Sequence, residues 1–453
     1  DEEEYKAIFE GLELGTEATR TGIIDNAKRS GYIELKKDVY KILPDGTLGW
    51  KKPMVPSAES ADPFNGQLSV PSVEPDGSVV YAGGGSSANG CYFAFNADGS
   101  VKWEFSSDEF WAANNGIPAP KINRVNAAIG KDCIYIGNGG TTGTAVAINK
   151  TDGTRVAYVS STADGTGGPA GGCNTGISVT KSGLAMFRAG YGAFSVSTDA
   201  MDKAGEAGFV PFIAQYRDKK MTTHNGNTVC FTKDGKDHYA FFGATDAGMN
   251  VIWGPIESTD VLVSYQSDAE PSWTTHAIAG TQKQDQGGMV IGARNEFIVA
   301  LKNNTNVKGG LYAIDPATNT MAWKYEVGID MAGTPAVDKA GNVHAIDDKG
   351  TYYILKPDYE KKTADLLKSA SLKDIYAEVN NHTWNEGDVC KAYGTVIIGL
   401  DGKMYCSVFF RDSSKAAILS AVFCLESGLC TGVGDTPWPL KNADCFNSGN
   451  QVK

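Results

Sequence analysis

Residues Gly309–Tyr325 read GGLYAIDPATNTMAWKY. An apolar run (Leu311, Tyr312, Ala313, Ile314) stops at Asp315-Pro316-Ala317-Thr318-Asn319, residue types that favour a tight turn, and a second run carries Trp323 and Tyr325. Strand, polar turn, and strand with an aromatic near its end describe a β-hairpin. The same grammar returns at Gly90–Phe105 (GCYFAFNADGSVKWEF), with Asp98-Gly99 and Trp103. It returns again at Gly143–Val159, with Asp152-Gly153 and Tyr158, and at Tyr40–Lys51, with Asp45-Gly46 and Trp50.

Spacing turns these copies into an architecture. Trp50 and Trp103 lie 53 residues apart, Trp103 and Tyr158 lie 55 apart, and Tyr158 and Trp323 lie 165 apart, three times 55. Further copies are expected near 213 and 268 and, beyond Trp323, near 378 and 430. Short apolar runs do occur there: Phe209–Ile213, Val261–Tyr265, Ile375–Val379 and Leu429-Cys430. Eight repeats of roughly 50–55 residues, each long enough for four short strands and their loops, predict an all-β, eight-bladed β-propeller of four-stranded antiparallel blades. Seven blades is the alternative count, and a mixed sandwich of unrelated hairpins the alternative architecture.

The pattern Leu-Tyr-Ala-Ile-Asp-x-x-Thr-Asn-x-x-x-Trp, from Leu311 to Trp323, resembles the repeat of the PQQ-binding-like β-propellers, the quinoprotein alcohol dehydrogenase-like fold. The resemblance implies that Trp docks between blades and that the Asp/Asn–Gly turn closes the outer hairpin. Ala332–Asp338 and Val70–Gly77 are similar to the family's inner-strand opening, and Asp435–Leu440 with Asn447–Gly449 to its flanking Trp-Pro segment. Four copies are clear, two partial, and the stretch from about 171 to 285 is weak. The likeness speaks to fold more than to activity.

Composition narrows the function classes. A net charge of −12 argues against nucleic acid as a partner, since phosphate binding needs a basic face. No apolar run approaches the ~20 residues of a membrane-spanning helix. Gly supplies 54 of 453 residues, well above the typical ~7 per cent, as many turns with positive φ require. The nine Cys are an odd number. They include no Cys-x-x-Cys and no adjacent pair, against zinc knuckles and c-type haem. Cys406, Cys424 and Cys430 lie close in the chain, so a disulfide among them and buried thiols are equally open. The chain begins at Asp1, which is compatible with a removed leader or a lipid anchor upstream.

Tyr5, Ile8, Phe9 and Leu12 follow Glu2-Glu3-Glu4 at helical spacing, predicting a short N-terminal helix within a lead-in of residues 1–19. Residues 20–453 then form a single propeller domain. If its last strands pair with its first, no sheet edge is left open.

In four-stranded blades every connection from an outer strand to the next inner strand lies on one face, where a propeller's ligand usually binds. These loops supply the candidate ligand residues: Trp111, Asn114, Asn115, Arg124 and Asn126; His224 and Asn225; Trp273 and His276; Asn381, His382 and Trp384. Aromatic planes beside amide and guanidinium groups suit a sugar, whose C–H face stacks while its hydroxyls hydrogen-bond. The bland alternative is loop packing and turn formation. His224, His276 and His382 could also converge on a divalent metal, although no spacing requires it. His344 alternates within a strand and reads as a core or blade-face residue, while His238, beside Lys236-Asp237, reads as a solvated turn residue.

Family quinoprotein dehydrogenases hold their quinone against an adjacent Cys-Cys ring, with a calcium on acidic and amide side chains. This chain has no adjacent Cys pair, so no cofactor is expected. The expectation is an exported, monomeric, non-catalytic propeller at the cell surface or in the periplasm, binding a carbohydrate or a protein. The alternatives are a metal-dependent polysaccharide lyase or hydrolase acting in the channel mouth, and a protein-assembly scaffold.

Overall fold

The computed structural model describes residues 38–43, 47–53, 67–68, 70–85, 90–106, 127–137, 144–160, 177–189, 192–196, 213–217, 228–245, 248–256, 273–279, 288–303, 307–331, 333–392, 395–441, 443–444 and 451. The predicted N-terminal helix and the run Val261–Tyr265 fall outside them. The chain divides into two compact units, Asp1–Val55 and Pro56–Lys453. In the first, β1 (Asp38–Ile42) and β2 (Leu48–Pro53) form the antiparallel hairpin predicted around Trp50.

The second unit is a succession of small antiparallel sheets in a propeller-like arrangement, most of them meanders in chain order, while in the first and last sheets two short strands share one edge of the strand that follows. The first sheet holds β3 (Gln67–Leu68), β4 (Ser72–Val73), β5 (Val79–Gly85), β6 (Gly90–Asn96) and β7 (Val101–Ser106). The next holds β8 (Ala128–Ile129), β9 (Cys133–Gly137), β10 (Thr144–Asn149) and β11 (Arg155–Ser160). It is followed by β12 (Ile177–Val179), β13 (Ala185–Ala189), β14 (Gly192–Val196) and β15 (Ile213–Arg217). Then come β16 (Thr228–Lys233), β17 (Lys236–Thr245), β18 (Gly248–Pro255) and β19 (Thr274–Ala279).

Two further meanders follow. One is β20 (Met289–Ile291), β21 (Phe297–Leu301), β22 (Gly310–Asp315) and β23 (Thr320–Glu326). The other is β24 (Ala336–Val337), β25 (Val343–Ile346), β26 (Thr351–Asp358) and β27 (Thr363–Ser371). A single parallel bridge, Lys324 with Thr363, joins their outer edges. The helix α1 (Leu372–Asn380) leads to the last sheet: β28 (Val389–Lys391), β29 (Ile397–Ile398), β30 (Met404–Arg411) and β31 (Ala417–Leu425).

The short first strands β8, β12, β16, β20 and β24 contact one another in succession, so they line the inside of the array. β8, β12, β20 and β24 are two or three residues long and buried throughout. The turn that follows recurs. Thr180, Gly292, Asp338 and Gly399 each donate a backbone N–H to the residue four on, and each accepts from the residue three on. That third residue (Gly183, Asn295, Gly341, Gly402) has positive φ, which explains the Gly and Asn punctuation.

The 55-residue ruler holds on average but not locally. The residues that close the first strands lie 56 apart from Val73 to Ile129, 46 apart from Ile291 to Val337, and 61 apart from Val337 to Ile398. The copy expected near 213 matches β15. Those expected near 378 and 430 do not: Ile375–Val379 lies in α1, Leu429-Cys430 lies beyond the last strand, and the corresponding strands are β27 and β31. An inserted helix and a tight β26–β27 turn, with Lys362 left-handed, shift the phase.

After β31 the chain returns across the ends of the first strands. Val337 donates its N–H to Pro439 O, Ile291 donates to Trp438 O, and Gln451 donates to Val179 O. Val337, Ile291 and Val179 are the residues at the turn end of β24, β20 and β12. This C-terminal strap buries Trp438 in the cluster built from β16–β22 and Leu440 in the cluster between the last two sheets. Because Trp438 is fully buried, Trp438→Ala is expected to lower unfolding free energy by about 3–5 kcal/mol, measured by urea titration. A loss below about 1 kcal/mol would show that the strap is peripheral.

Candidate functional site

One loop of the predicted ligand face is described in full, the α1 connection to the last sheet. Ser371 caps α1 by accepting from Asp374 N, and Asn381, left-handed at φ 49°, ends it by donating its own N–H to Ala377 O. Asn381 thus serves the backbone as a helix stop, a position that favours Gly or Asn. The next turn packs on the helix. Trp384 stacks on Phe410 (centroids 4.4 Å), meets the His382 ring at 4.2 Å and 70°, and donates Nε1–H to Lys373 O at 3.1 Å. His382 also meets Tyr376 edge-on at 5.7 Å, and the Lys373 ammonium lies 5.6 Å from the Trp384 ring. Trp384 is thus partly buried and engaged in packing by Phe410 and His382.

His276 is not in a loop, and Trp273 stands at a strand's edge. The fourth strand of their sheet comes after a long connection from β18, so Trp273 immediately precedes β19 and His276 lies within it. Trp273 is half-buried against Tyr239 and Phe241, over Gly254, where an added Cβ would lie 2.2 Å from the indole. His276 Nδ1 reaches Asn319 Oδ1 (2.9 Å) and Asn319 O (3.2 Å) in the β22–β23 turn of the next sheet. Trp103 does the same one sheet after another: its Nε1–H donates to Lys150 O at 3.0 Å, with its ring on Gly153. An outer-strand ring bonded to the next sheet's outer turn is a docking device of the fold, and His276 fills it.

His276 and His382 are thus engaged on different sheets and do not come together. Trp111, Asn114, Asn115, Arg124, Asn126, His224 and Asn225 lie outside the described residues. His238 is corrected too. It sits in β17, half-buried, 5.1 Å from the Phe231 ring, with Nδ1 on Lys236 O. Desolvation lowers its pKa from the usual imidazole value.

A cluster the sequence does not flag lies where the strap meets β24–β26. His344 is wholly buried, as its strand alternation suggests, but it is not an apolar core residue. Its Nε2 lies 3.0 Å from Asp338 Oδ2 and its Nδ1 lies 2.6 Å from the Tyr352 hydroxyl. Asp338 Oδ1 accepts from the Ala340 and Asn342 amides, and Oδ2 also accepts from Asn342 Nδ2. Burial pushes the Asp338 carboxyl up, but the hydrogen bonds from His344 and Asn342 outweigh it and hold the group below the usual carboxylate range. The strap brings Cys430 alongside: Asp338 bridges Val433, and Lys339 N donates to Gly432 O.

Cys406, Cys424 and Cys430 are free thiols, so no disulfide joins them. Burial pushes Cys390 and Cys406 up to about 12, which makes them poor nucleophiles near neutral pH.

No family model matches the sequence, and no curated protein matches it. Among solved structures the chain is similar to BamB from Moraxella catarrhalis at 11% identity and TM-score 0.44, covering 86% of this chain and 98% of that one. It is similar to the Dos1 propeller at 8% and 0.47, covering 79% and 85%. It is also similar to quinohemoprotein alcohol dehydrogenase from Comamonas testosteroni at 13% and 0.47, covering 83% and 69%. These likenesses are too distant to bear on activity, and the fold rests on the strand pairing itself.

The His238 environment sets a pH dependence. Its folded pKa is depressed, so the unfolded chain binds the proton more readily. Stability is then lost as pH falls through the ordinary imidazole value of about 6.5 toward the folded one. His238→Phe is expected to be less sensitive than wild type between about pH 7.5 and 5, by urea titration at each pH. Parallel profiles would contradict the assignment.

Proposed function

We propose that this chain is a non-catalytic binding propeller that takes a protein partner on the face carrying the connections from outer to inner strands. The C-terminal strap supports this reading, because it crosses the opposite, turn-bearing ends of β24, β20 and β12. On that face α1 presents Val379, 76% exposed, between exposed Glu378 and Asn380. An isolated apolar side chain in an acidic setting, on a chain of net charge −12, suits a partner with a basic rim around a small apolar contact.

A protein is favoured over a carbohydrate because Trp273 and Trp384 are engaged by packing. The eight-blade count, the single domain over 20–453 and the monomeric state belong to the same reading. So do export to the cell surface or periplasm and a ligand face formed with Trp111, Asn114, Asn115, Arg124, Asn126, His224 and Asn225. They are supported by the repeat spacing and the family resemblance.

The test is a photo-crosslinking residue placed at Val379 in the full chain, expressed in its native host. A discrete protein adduct is expected that fades with added salt and with Glu378→Lys. The opposite result is a glycan class bound by the purified chain, with binding abolished by Trp384→Ala at unchanged thermal stability.

A further inference from the structure

The first-to-second-strand turn carries the same side-chain position in six sheets, the second residue pair from the turn. It is held by Tyr81 opposite Ser72, Tyr135 opposite Ala128, Met186 opposite Ser178, Ile298 opposite Val290, His344 opposite Ala336 and Tyr405 opposite Ile397. In two of these the tyrosine hydroxyl donates to a carboxylate of the turn. Tyr81 reaches Glu74 at 2.8 Å, and Tyr405 reaches Asp401 at 3.2 Å. The repeat thus has an ordinary, satisfied solution at this place, a phenol on a turn carboxylate. The β24–β25 sheet keeps the carboxylate, Asp338, but replaces the phenol with an imidazole, whose ring nitrogen is a far better ligand for a transition metal than a neutral phenol oxygen.

Around that imidazole the fold has assembled a mixed donor set from three separate places. Asp338 comes from the turn, His344 from β25 and Cys430 from the start of the strap, and one ligand atom from each lies within 4.8 Å of the others. We propose that Asp338, His344 and Cys430 bind a divalent zinc-type cation that staples the C-terminal strap to the β24–β26 meander. Carboxylate oxygen, imidazole nitrogen and thiolate sulfur are the ligands zinc takes, and together they do not suit calcium or magnesium.

The geometry needs small movements only. Asp338 Oδ2 and His344 Nε2 are 3.0 Å apart, against the roughly 3.4 Å between two such ligands on tetrahedral zinc. The Cys430 sulfur makes a long hydrogen bond to Gly432 O at 3.8 Å and already lies within 4.8 Å of the other two donors.

The surroundings fit as well. The amides of Ala340 and Asn342 hold Asp338 Oδ1 and so fix where Oδ2 points. Tyr352 serves His344 in either state. Without metal its hydroxyl donates to Nδ1 while Nε2–H donates to Asp338; with metal on Nε2, the proton sits on Nδ1 and the Tyr352 oxygen accepts it, as the outer partner of a ligating histidine does. On binding, the Cys430 thiol gives up its proton to solvent, so uptake releases acid and strengthens as pH rises. Three protein ligands leave the fourth position to water.

The experiment uses the full chain, stripped with chelator and titrated with Co2+ and then Zn2+. One cobalt per chain is expected, with a thiolate-to-cobalt charge-transfer band, displacement by zinc, and a higher melting temperature in excess zinc. Cys430→Ser should lose the band and weaken binding by at least about tenfold. His344→Tyr installs the side chain that three of the other sheets carry at this position. It should fold and take up no cobalt. Cys424→Ser, at an exposed thiol outside the cluster, should behave as wild type. The proposal is overturned if the stripped chain takes up no cobalt, if the band survives Cys430→Ser, or if Cys424→Ser removes it. Should His344→Tyr not fold, Cys430→Ser decides alone.

Discussion

The strap from Cys430 to Leu440 is the constraint on which the second unit depends. Antiparallel meanders stacked face to face hold one another mainly through apolar side chains, and each is linked to the next by one connection. A segment whose carbonyls accept from Val337 and Ile291 at matching register ties neighbouring sheets by main-chain hydrogen bonds at the turn-bearing ends of their first strands. Trp438 adds a fully buried indole to the same seam, and burying a residue of that size is among the larger single contributions available.

Its placement also orders the rest of the molecule. The turn-bearing ends of the first strands are where the strap lies, and the His344 cluster sits at its beginning. The opposite ends carry the connections, and α1 with Asn381, His382 and Trp384 is one of those described. The strap and α1 are in this way separated onto two ends of the same short strands.

Much of the fold was legible because it is written locally. Alternating runs broken by Asp-Gly or Asn turns follow from the pleat and from positive φ, and Gly90–Phe105 and Gly309–Tyr325 are hairpins as their residues say. The phase beyond Trp323 was not legible, because α1 and the variable connections change each repeat's length without changing its strands. The candidate site was read less well. Trp273, His276 and Trp384 are large, polar-tipped rings in an apparent loop, and such rings serve equally to bind a ligand or to dock one sheet on the next. Only the strand pairing around Val251 and His276 decides that, and it is long-range. The His344 cluster escaped because its partners lie 6, 8 and 86 residues away, at Asp338, Tyr352 and Cys430. The visible trace was a histidine where other repeats carry tyrosine, which shows once the repeats are in register.

The measurement that bears most directly on this account is native-state hydrogen exchange of the amides that face the strap. Ile291, Val337 and Gly434 N–H are predicted to be as slow as the amides of β21 and β22, and to open with them in a single cooperative unit. Fast exchange at these three positions over a protected β21–β22 core would contradict it, and would show the sheets to be held together without the strap.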